Sequence, residues 1–439
     1  MKTAAAKILS LPELPIIPSP DLRFLREEEP EMSPEERTEA LEFGRSGNLI
    51  DLIADDYEAL GLVGEYHNKL LSYLAAVSRK LEADSVLSVL VLSSSGSGKS
   101  FLQDKTLKLC PEADVVAISS LTDKALFYRG EDLTHKILAL AEAAGMKNAY
   151  QIRTLISEGE LSVESVTRAG GQMTTTKNTV KGPCSVFLTT TDPEIDPELA
   201  SRMWILGVDE SRDQTRRILG VQRDGQSLEG IIRKAQREQL VRKHHNFQRL
   251  LRDDLRVVNP FAGELFWNDD RLTARRNQPK YLNLCKAVAF VRQMQKPVGH
   301  YQDGNLKLDY IEVDMDDIRL ATALATEILG TDLNELSVPA RDLLAMIDGY
   351  VRLRTKSPQE RQFFTFTRRE LREFSGWGKT RMGTHLNELR EFELVVRETG
   401  KRHCLQSYRL LYDAEQAQQN GGKVLVGLKS VGDQGVVSG

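Results

Sequence analysis

Val86-Leu-Ser-Val-Leu-Val-Leu92, followed without a break by Ser93-Ser-Ser-Gly96-Ser97-Gly98-Lys99-Ser100, decides the fold. The first run is short and nearly all apolar, as a strand buried on both faces of a parallel sheet should be. The turn after it opens into a helix through Leu102 and Leu107 and has the spacing of a phosphate-binding loop. Gly96 and Gly98 let backbone N–H groups turn inward around phosphate oxygens, and the positive end of the following helix adds to the attraction. Lys99 is placed to reach the β- and γ-phosphates of ATP and Ser100 to ligate magnesium, with Ser97 and Phe101 completing the nucleotide-contacting stretch. Ser93 stands where the motif's usual first glycine lies, a departure away from the phosphate-contacting end.

Working outward, apolar runs at Asp114 to Ile118, Ile137 to Leu140, Ser185 to Leu188 and Met203 to Val208 alternate with helical or loop stretches. The expectation is an α/β fold on a parallel sheet. Between Leu49 and Leu81 apolar residues recur at helical spacing and predict two helices ahead of the first core strand. Beyond Glu210 the pattern turns helical and the sheet is expected to end. That region holds an amphipathic stretch from Tyr281 to Met294 and a basic one from Arg233 to Arg256, read as a solvated helix face with His244 and His245 at the surface. Near Phe363 a third pattern begins. Thr367-Arg-Arg-Glu370 has capping-box spacing, Ser375-Gly-Trp-Gly378 reads as a turn, and Lys379 to Phe392 as a second helix. Two strand-like segments then flank Thr399-Gly-Lys-Arg402, so the whole describes a winged helix. The expected organisation is a proline-rich and acidic tail over 1–48, an ATPase core over 49–209, a helical lid over 210–350, a winged helix over 351–412 and a disordered end over 413–439.

Composition sets outer bounds. At 439 residues the chain exceeds what one core usually supports. A net charge of -4 argues against a uniformly cationic DNA wrapper, so basic faces must be sought region by region. Cys110, Cys184, Cys285 and Cys404 lie far apart with no metal-ligand spacing, which predicts reduced thiols in a core rather than a zinc site. No apolar run reaches the ~18 residues a membrane helix needs, and the cytoplasm is the default expectation.

Hydrolysis needs an acidic residue to position water. Glu142, after the Ile137 strand, is the candidate, and Ala141 stands where a metal-side carboxylate normally lies, leaving a neighbour such as Asp132 to compensate or turnover to be slow. Glu164 to Asn178, with Gly170-Gly171 at its centre, reads as a hairpin whose Arg168 and Lys177 lie near the tip. On the helix from Lys379, inward Met382, Leu386 and Leu389 leave Lys379, Thr380, Arg381 and Thr384 outward as a groove-facing edge, with Lys401 and Arg402 at the wing tip as further DNA contacts.

Phe127-Tyr-Arg-Gly-Glu131, Tyr150-Gln-Ile-Arg-Thr-Leu-Ile-Ser-Glu-Gly-Glu-Leu161, Thr189-Thr-Thr-Asp-Pro-Glu-Ile-Asp196 and Ser201-Arg202 resemble, in that order, the AAA+ module in the helicase half of bacterial primase-like proteins. More distantly they are similar to minichromosome-maintenance helicases. The resemblance spans roughly Leu49 to Tyr412 and implies an ATPase core, a helical lid, a terminal winged helix and a ring-forming habit, a hexamer being the expected state. It implies that Thr190 or Thr191 senses the γ-phosphate and that Arg202 is an arginine finger offered to a neighbouring subunit. Thr273-Ala-Arg275-Arg276 resembles the lid segment of the second sensor, without deciding between its two arginines. The hairpin is implied to point into a channel around single-stranded DNA. The zinc-binding and polymerising domains that such proteins often carry are not in this sequence, so a separate primase is the expected partner for primer synthesis. The function expected is an ATP-dependent DNA helicase or translocase of replication; the competing expectation is an ATP-binding switch or loader with weak hydrolysis.

Overall fold

The computed structural model describes residues 31–118, 132–141, 149–169, 172–192, 195–267, 274–329, 331–332, 336–398, 406–412, 423–424 and 428–429. It begins with three helices: α1 (Pro34–Arg45), α2 (Leu49–Ala59) and α3 (Tyr66–Ser78). α1 lies inside the stretch expected to be a tail. Ser33 caps it, its Oγ accepting from the Glu36 N–H while the Glu36 carboxylate accepts from the Ser33 N–H, so part of the acidic run is a capping box at the positive end of a helix. Ala40 and Phe43 then anchor it in the core.

The central sheet uses β1 (Val89–Leu92), β2 (Val115–Ile118), β3 (Lys136–Leu140), β6 (Cys184–Thr190) and β7 (Trp204–Leu206), all paired in parallel in the order β2-β3-β6-β1-β7. Between them run α4 (Lys99–Lys108), α5 (Ala149–Glu158), the hairpin strands β4 (Glu160–Ala169) and β5 (Gln172–Lys181), and the short α6 (Pro197–Ala200). Side chains alternate across the sheet. Val89, Val91, Ile137 and Phe187 join the core beneath α3 and α4, while Leu90, Leu138, Leu140, Val186 and Leu188 pack with Ile152 and Leu155 of α5. Both faces are covered, which is why the strands read as unbroken apolar runs.

After β7 come α7 (Arg212–Asp224), α8 (Leu228–Leu250), β8 (Arg256–Val258), β9 (Phe266–Trp267), α9 (Ala274–Val291), β10 (Gly299–Asp303), β11 (Leu306–Glu312), α10 (Met315–Leu329) and β12 (Thr331–Asp332). This stretch is not purely helical. β10, β11 and β8 form a second sheet, in which β8 pairs with β11 in parallel. Its outer strand, Gly-His-Tyr-Gln-Asp, is mostly exposed and carries no apolar alternation that sequence reading could detect.

The C-terminal end of α8 also departs from a solvated face. His244 is fully buried, its Nε2 2.9 Å from Asp56 Oδ2 and its Nδ1 2.9 Å from the Tyr73 hydroxyl, with the Phe43 ring edge-on at 5.0 Å. Burial pushes the imidazole below its ordinary value of 6.5 against the pull of Asp56. The unfolded chain therefore binds this proton more readily than the folded one, so its stability contribution is complete above pH ~6.5 and declines as the pH falls below that. Thermal melts should show wild type losing stability between pH 7 and 5.5 more steeply than His244→Asn; parallel profiles would refute this.

The third core gathers α11 (Val338–Arg352), α12 (Pro358–Phe363), β13 (Thr365–Thr367), α13 (Arg368–Ser375), α14 (Lys379–Glu391), β14 (Val395–Glu398) and β15 (Ser407–Leu410), with the strands antiparallel in the order β13-β15-β14. Thr367 and Glu370 form the expected capping box, and Gly376 takes the left-handed φ of 70° that ends α13. Met382, Leu386 and Leu389 are fully buried, each worth about 1.5–3 kcal/mol of transfer free energy. Two short strands follow where disorder was expected: β16 (Lys423–Val424) pairs with β12, and β17 (Leu428–Lys429) with β9. Backbone pairing of this kind leaves no mark in a Gln- and Gly-rich composition.

Candidate phosphate-loop site

The loop from Ser93 to Gly98 leaves the C-terminal edge of β1 and delivers the chain into α4. Gly96 and Gly98 have φ of 80° and 109°, left-handed values that glycine adopts without strain, and a Cβ built on either would meet nothing within 4 Å. Gly98 caps α4 without any side-chain bond, so the first amides of that helix remain available. Lys99 is only 7% exposed, and its Nζ donates to the Ser94 carbonyl at 2.5 Å, holding the ammonium over the loop. The Ser97 hydroxyl is shielded from solvent and has no hydrogen-bond partner among the described residues. Ser100 is exposed beside Lys99, and the Phe101 ring, 41% exposed, lies under Lys105 Nζ at 4.6 Å. Open amides, an orphaned hydroxyl, a cation and a second serine fit a triphosphate with a divalent metal.

The parallel sheet brings the end of β6 to the same edge. Leu92 registers with Thr190, Ser93 N–H donates to the Thr190 carbonyl at 3.5 Å, and Thr190 Oγ1 accepts from the Asp192 amide at 3.0 Å. Thr190 is buried and Thr191 exposed. Gln103, which sequence reading passed over, is a buried residue of α4 whose Nε2 donates to the Phe187 carbonyl at 3.0 Å and the Leu140 carbonyl at 3.4 Å.

β3 ends at Leu140, and Ala141 is exposed at the same edge; Glu142 lies outside the described residues. Asp132 does not compensate for Ala141. It precedes β3, where its carboxylate accepts from Thr134 Oγ1 at 2.5 Å and from the Thr134 amide at 2.9 Å. In a parallel sheet that is the opposite edge, roughly 15 Å of strand away from the loop.

Glu210, also unforeseen, does come to the loop. From the segment after β7 its Oε1 accepts from Ser93 Oγ at 2.6 Å, Ser94 Oγ at 2.7 Å and the Ser94 amide at 3.0 Å. Those donors, Ser93 first, hold the carboxyl down at about 2. Only a loop-to-loop contact across 117 positions reveals it, so no local motif could have.

Arg202 sits elsewhere. It follows α6 and precedes β7, whose first residue Trp204 pairs with Val89 at the start of β1, so Arg202 lies at the edge of the sheet away from its own loop. Its Nε donates to Ser157 Oγ and its Nη1 to the Glu198 carbonyl, both at 2.6 Å. Burial, then the positive charge of Arg276, lowers its affinity for its proton. Arg275 and Arg276 are both exposed in the first turn of α9, and Arg276 is the one whose charge reaches Arg202.

The expected hairpin forms as β4 and β5. Arg168 registers with Met173 beside the turn, whereas Lys177 registers with Glu164 midway along the strands, about 17 Å from the tip. Lys379 and Arg381 are exposed on α14, and the Arg381 guanidinium stacks 3.8 Å over Trp377. Lys401 and Arg402 lie outside the described residues.

Cys110, Cys184 and Cys285 are buried free thiols as expected, and Cys404 lies outside the described residues. No described helix is long and apolar enough to cross a membrane.

No curated protein matches the chain. The crystal structure of a full-length MCM homolog from Methanopyrus kandleri is similar at a TM-score of 0.45 and 14% identity, covering 69% of this chain. This chain spans 62% of that protein's length. The MTBMA_p00010 P-loop domain matches residues 31–253, a stretch that takes in α1 to α3, the whole parallel sheet, the phosphate loop and Glu210. The chain belongs to the MTBMA_p00010 P-loop domain family.

Proposed function

We propose that this chain is a magnesium-dependent AAA+ ATPase that couples ATP hydrolysis to movement on, or remodelling of, DNA during replication. The observation that carries the ATP site is the loop itself: two left-handed glycines, an uncapped helix start and Lys99 held above them. Amides from Gly96 to Phe101 would hold the phosphates, with Lys99 on the β- and γ-oxygens and Ser100 as the protein ligand of magnesium. Magnesium bound there would supply charge neutralisation across the β- and γ-phosphates. Thr190, at the loop's edge of the sheet, is the γ-phosphate sensor in this reading, and Glu142 orients the attacking water.

Arg202 serves a neighbouring subunit's triphosphate as the arginine finger, and Arg275 or Arg276 is the second sensor. The position of Arg202 at the end of β7 away from the loop of its own chain supports the finger assignment. It requires an oligomer, for which a hexameric ring is the proposal. The β4–β5 hairpin with Arg168 is the proposed contact to single-stranded DNA, Lys177 lying too far from the turn to share its tip. The module read as a winged helix offers Lys379 and Arg381 to a duplex, and Lys401 and Arg402 are the further proposed DNA contacts. Residues 210–350 are the helical lid of this reading, and a separate primase is the proposed partner.

A second reading, an ATP-binding switch or loader that hydrolyses poorly, is favoured by Ala141 at the metal-side position together with the distance of Asp132. ATP turnover with and without single-stranded DNA, measured beside strand displacement, separates the two. Turnover raised by DNA and accompanied by displacement is the expected result. ATP association with negligible turnover would give the protein to the switch, and no ATP association would overturn both.

A further inference from the structure

Ser93 replaces the motif's first glycine, and the structure gives its hydroxyl a use. With Ser94 it directs three donors onto one oxygen of Glu210. Glu210 belongs to the 207–211 segment that joins β7 to α7, and the same segment is fastened at two more points. Asn68 Nδ2 donates to the Gly207 carbonyl at 2.7 Å, and the Asp209 amide donates to Glu65 Oε1 at 2.7 Å. Beyond it, α7 has a single buried residue, Gln214, whose Nε2 donates to the Val63 carbonyl at 2.6 Å. The start of α7 is therefore held by a few polar bonds rather than by a packed apolar face.

Ser94 carries opposite charges on its two sides. Its carbonyl accepts from the Lys99 ammonium, and its amide and hydroxyl hold the Glu210 carboxylate. Lys99 is the group placed to turn toward β- and γ-phosphates. A γ-phosphate drawn to Lys99 thus brings negative charge up to an exposed carboxylate whose partners can exchange it for water.

We propose that Glu210 is a positioning residue that clasps the phosphate loop to the β7–α7 junction, and that a triphosphate opens this clasp where a diphosphate leaves it closed. The proposal rests on reading the loop as an ATP site. Opening releases the Glu210 end of the segment while the Asn68 and Glu65 ties hold its start, and so lets the beginning of α7 shift, which transmits the loop's occupancy to the helices beyond the sheet. A glycine at position 93 would provide no hydroxyl for the clasp.

Glu210→Gln keeps the shape and an acceptor oxygen but removes the charge. With magnesium present, it should bind ATP about fivefold more tightly than wild type, the scale of one exposed charge interaction, while ADP affinity stays the same. A merely structural loss would weaken both nucleotides together. Tryptic cleavage after Arg212, Arg216 and Arg217, all exposed on α7, gives a second measure. It should be slow in nucleotide-free and ADP-bound wild type and faster with a non-hydrolysable ATP analogue. In the Ser93→Ala, Ser94→Ala double variant it should be fast under every condition. Wild type that binds ATP, with an unchanged ATP-to-ADP affinity ratio in Glu210→Gln and unchanged cleavage, would overturn the clasp alone. Wild type that binds neither nucleotide would overturn the ATP-site reading and the clasp's trigger with it.

Discussion

Lys99→Ala should lower ATP affinity by about 10- to 100-fold, because a charge-assisted bond from a largely buried ammonium to phosphate is worth about 1.5–3 kcal/mol. Turnover should fall further, since the same ammonium meets the charge that grows in the transition state. Nζ is already over the loop, tied to the Ser94 carbonyl, so binding redirects a bond rather than ordering a free side chain. Alanine removes both the charge and that tether. Calorimetry with ATP and magnesium, followed by a phosphate-release assay, reads the two effects separately. Wild-type affinity in Lys99→Ala would overturn the site assignment, provided the variant's melting temperature is unchanged.

Arg202→Ala should lose about a thousandfold or more in turnover while keeping ATP affinity within a few-fold. The sheet supplies the reason. β1 and β7 run side by side in parallel, the loop leaves one end of β1, and Arg202 enters at the other, separated by on the order of 13 Å of strand. No side-chain rotation carries its guanidinium to the loop of its own chain. Mixing inactive Arg202→Ala with inactive Lys99→Ala should therefore restore part of the turnover, because some interfaces then pair an intact loop with an intact arginine. Absence of any recovery in a mixture shown to co-assemble would refute a shared site.

The parallel strands were legible because burial on both faces forces apolar residues at every position, and the loop because its glycines and lysine act through neighbours in sequence. Helix α14 was legible for the same local reason: Met382, Leu386 and Leu389 recur with the helical repeat. What escaped depends on distant partners or on chain direction. α1 was hidden by prolines and glutamates that turn out to begin a helix. His244 sits among basic residues that mask its burial, and only Asp56, Tyr73 and Phe43 explain it. Asp132 is a near neighbour of Ala141 in sequence, yet β3 runs between them and carries Ala141 to the loop's edge and Asp132 to the opposite one. Glu210 needed the fold before it could be seen at all.

Gln103 turns one helix into a lever. Its amide grips the backbone of two adjacent strands, β3 close to Ala141 and β6 ahead of Thr190, while the same helix opens directly from the phosphate loop with its first amides uncapped. A shift of α4 would strain or break these bonds, at a cost, since the gripping amide is buried away from water. The two strand ends that border the loop are thereby tied to the helix that leaves it.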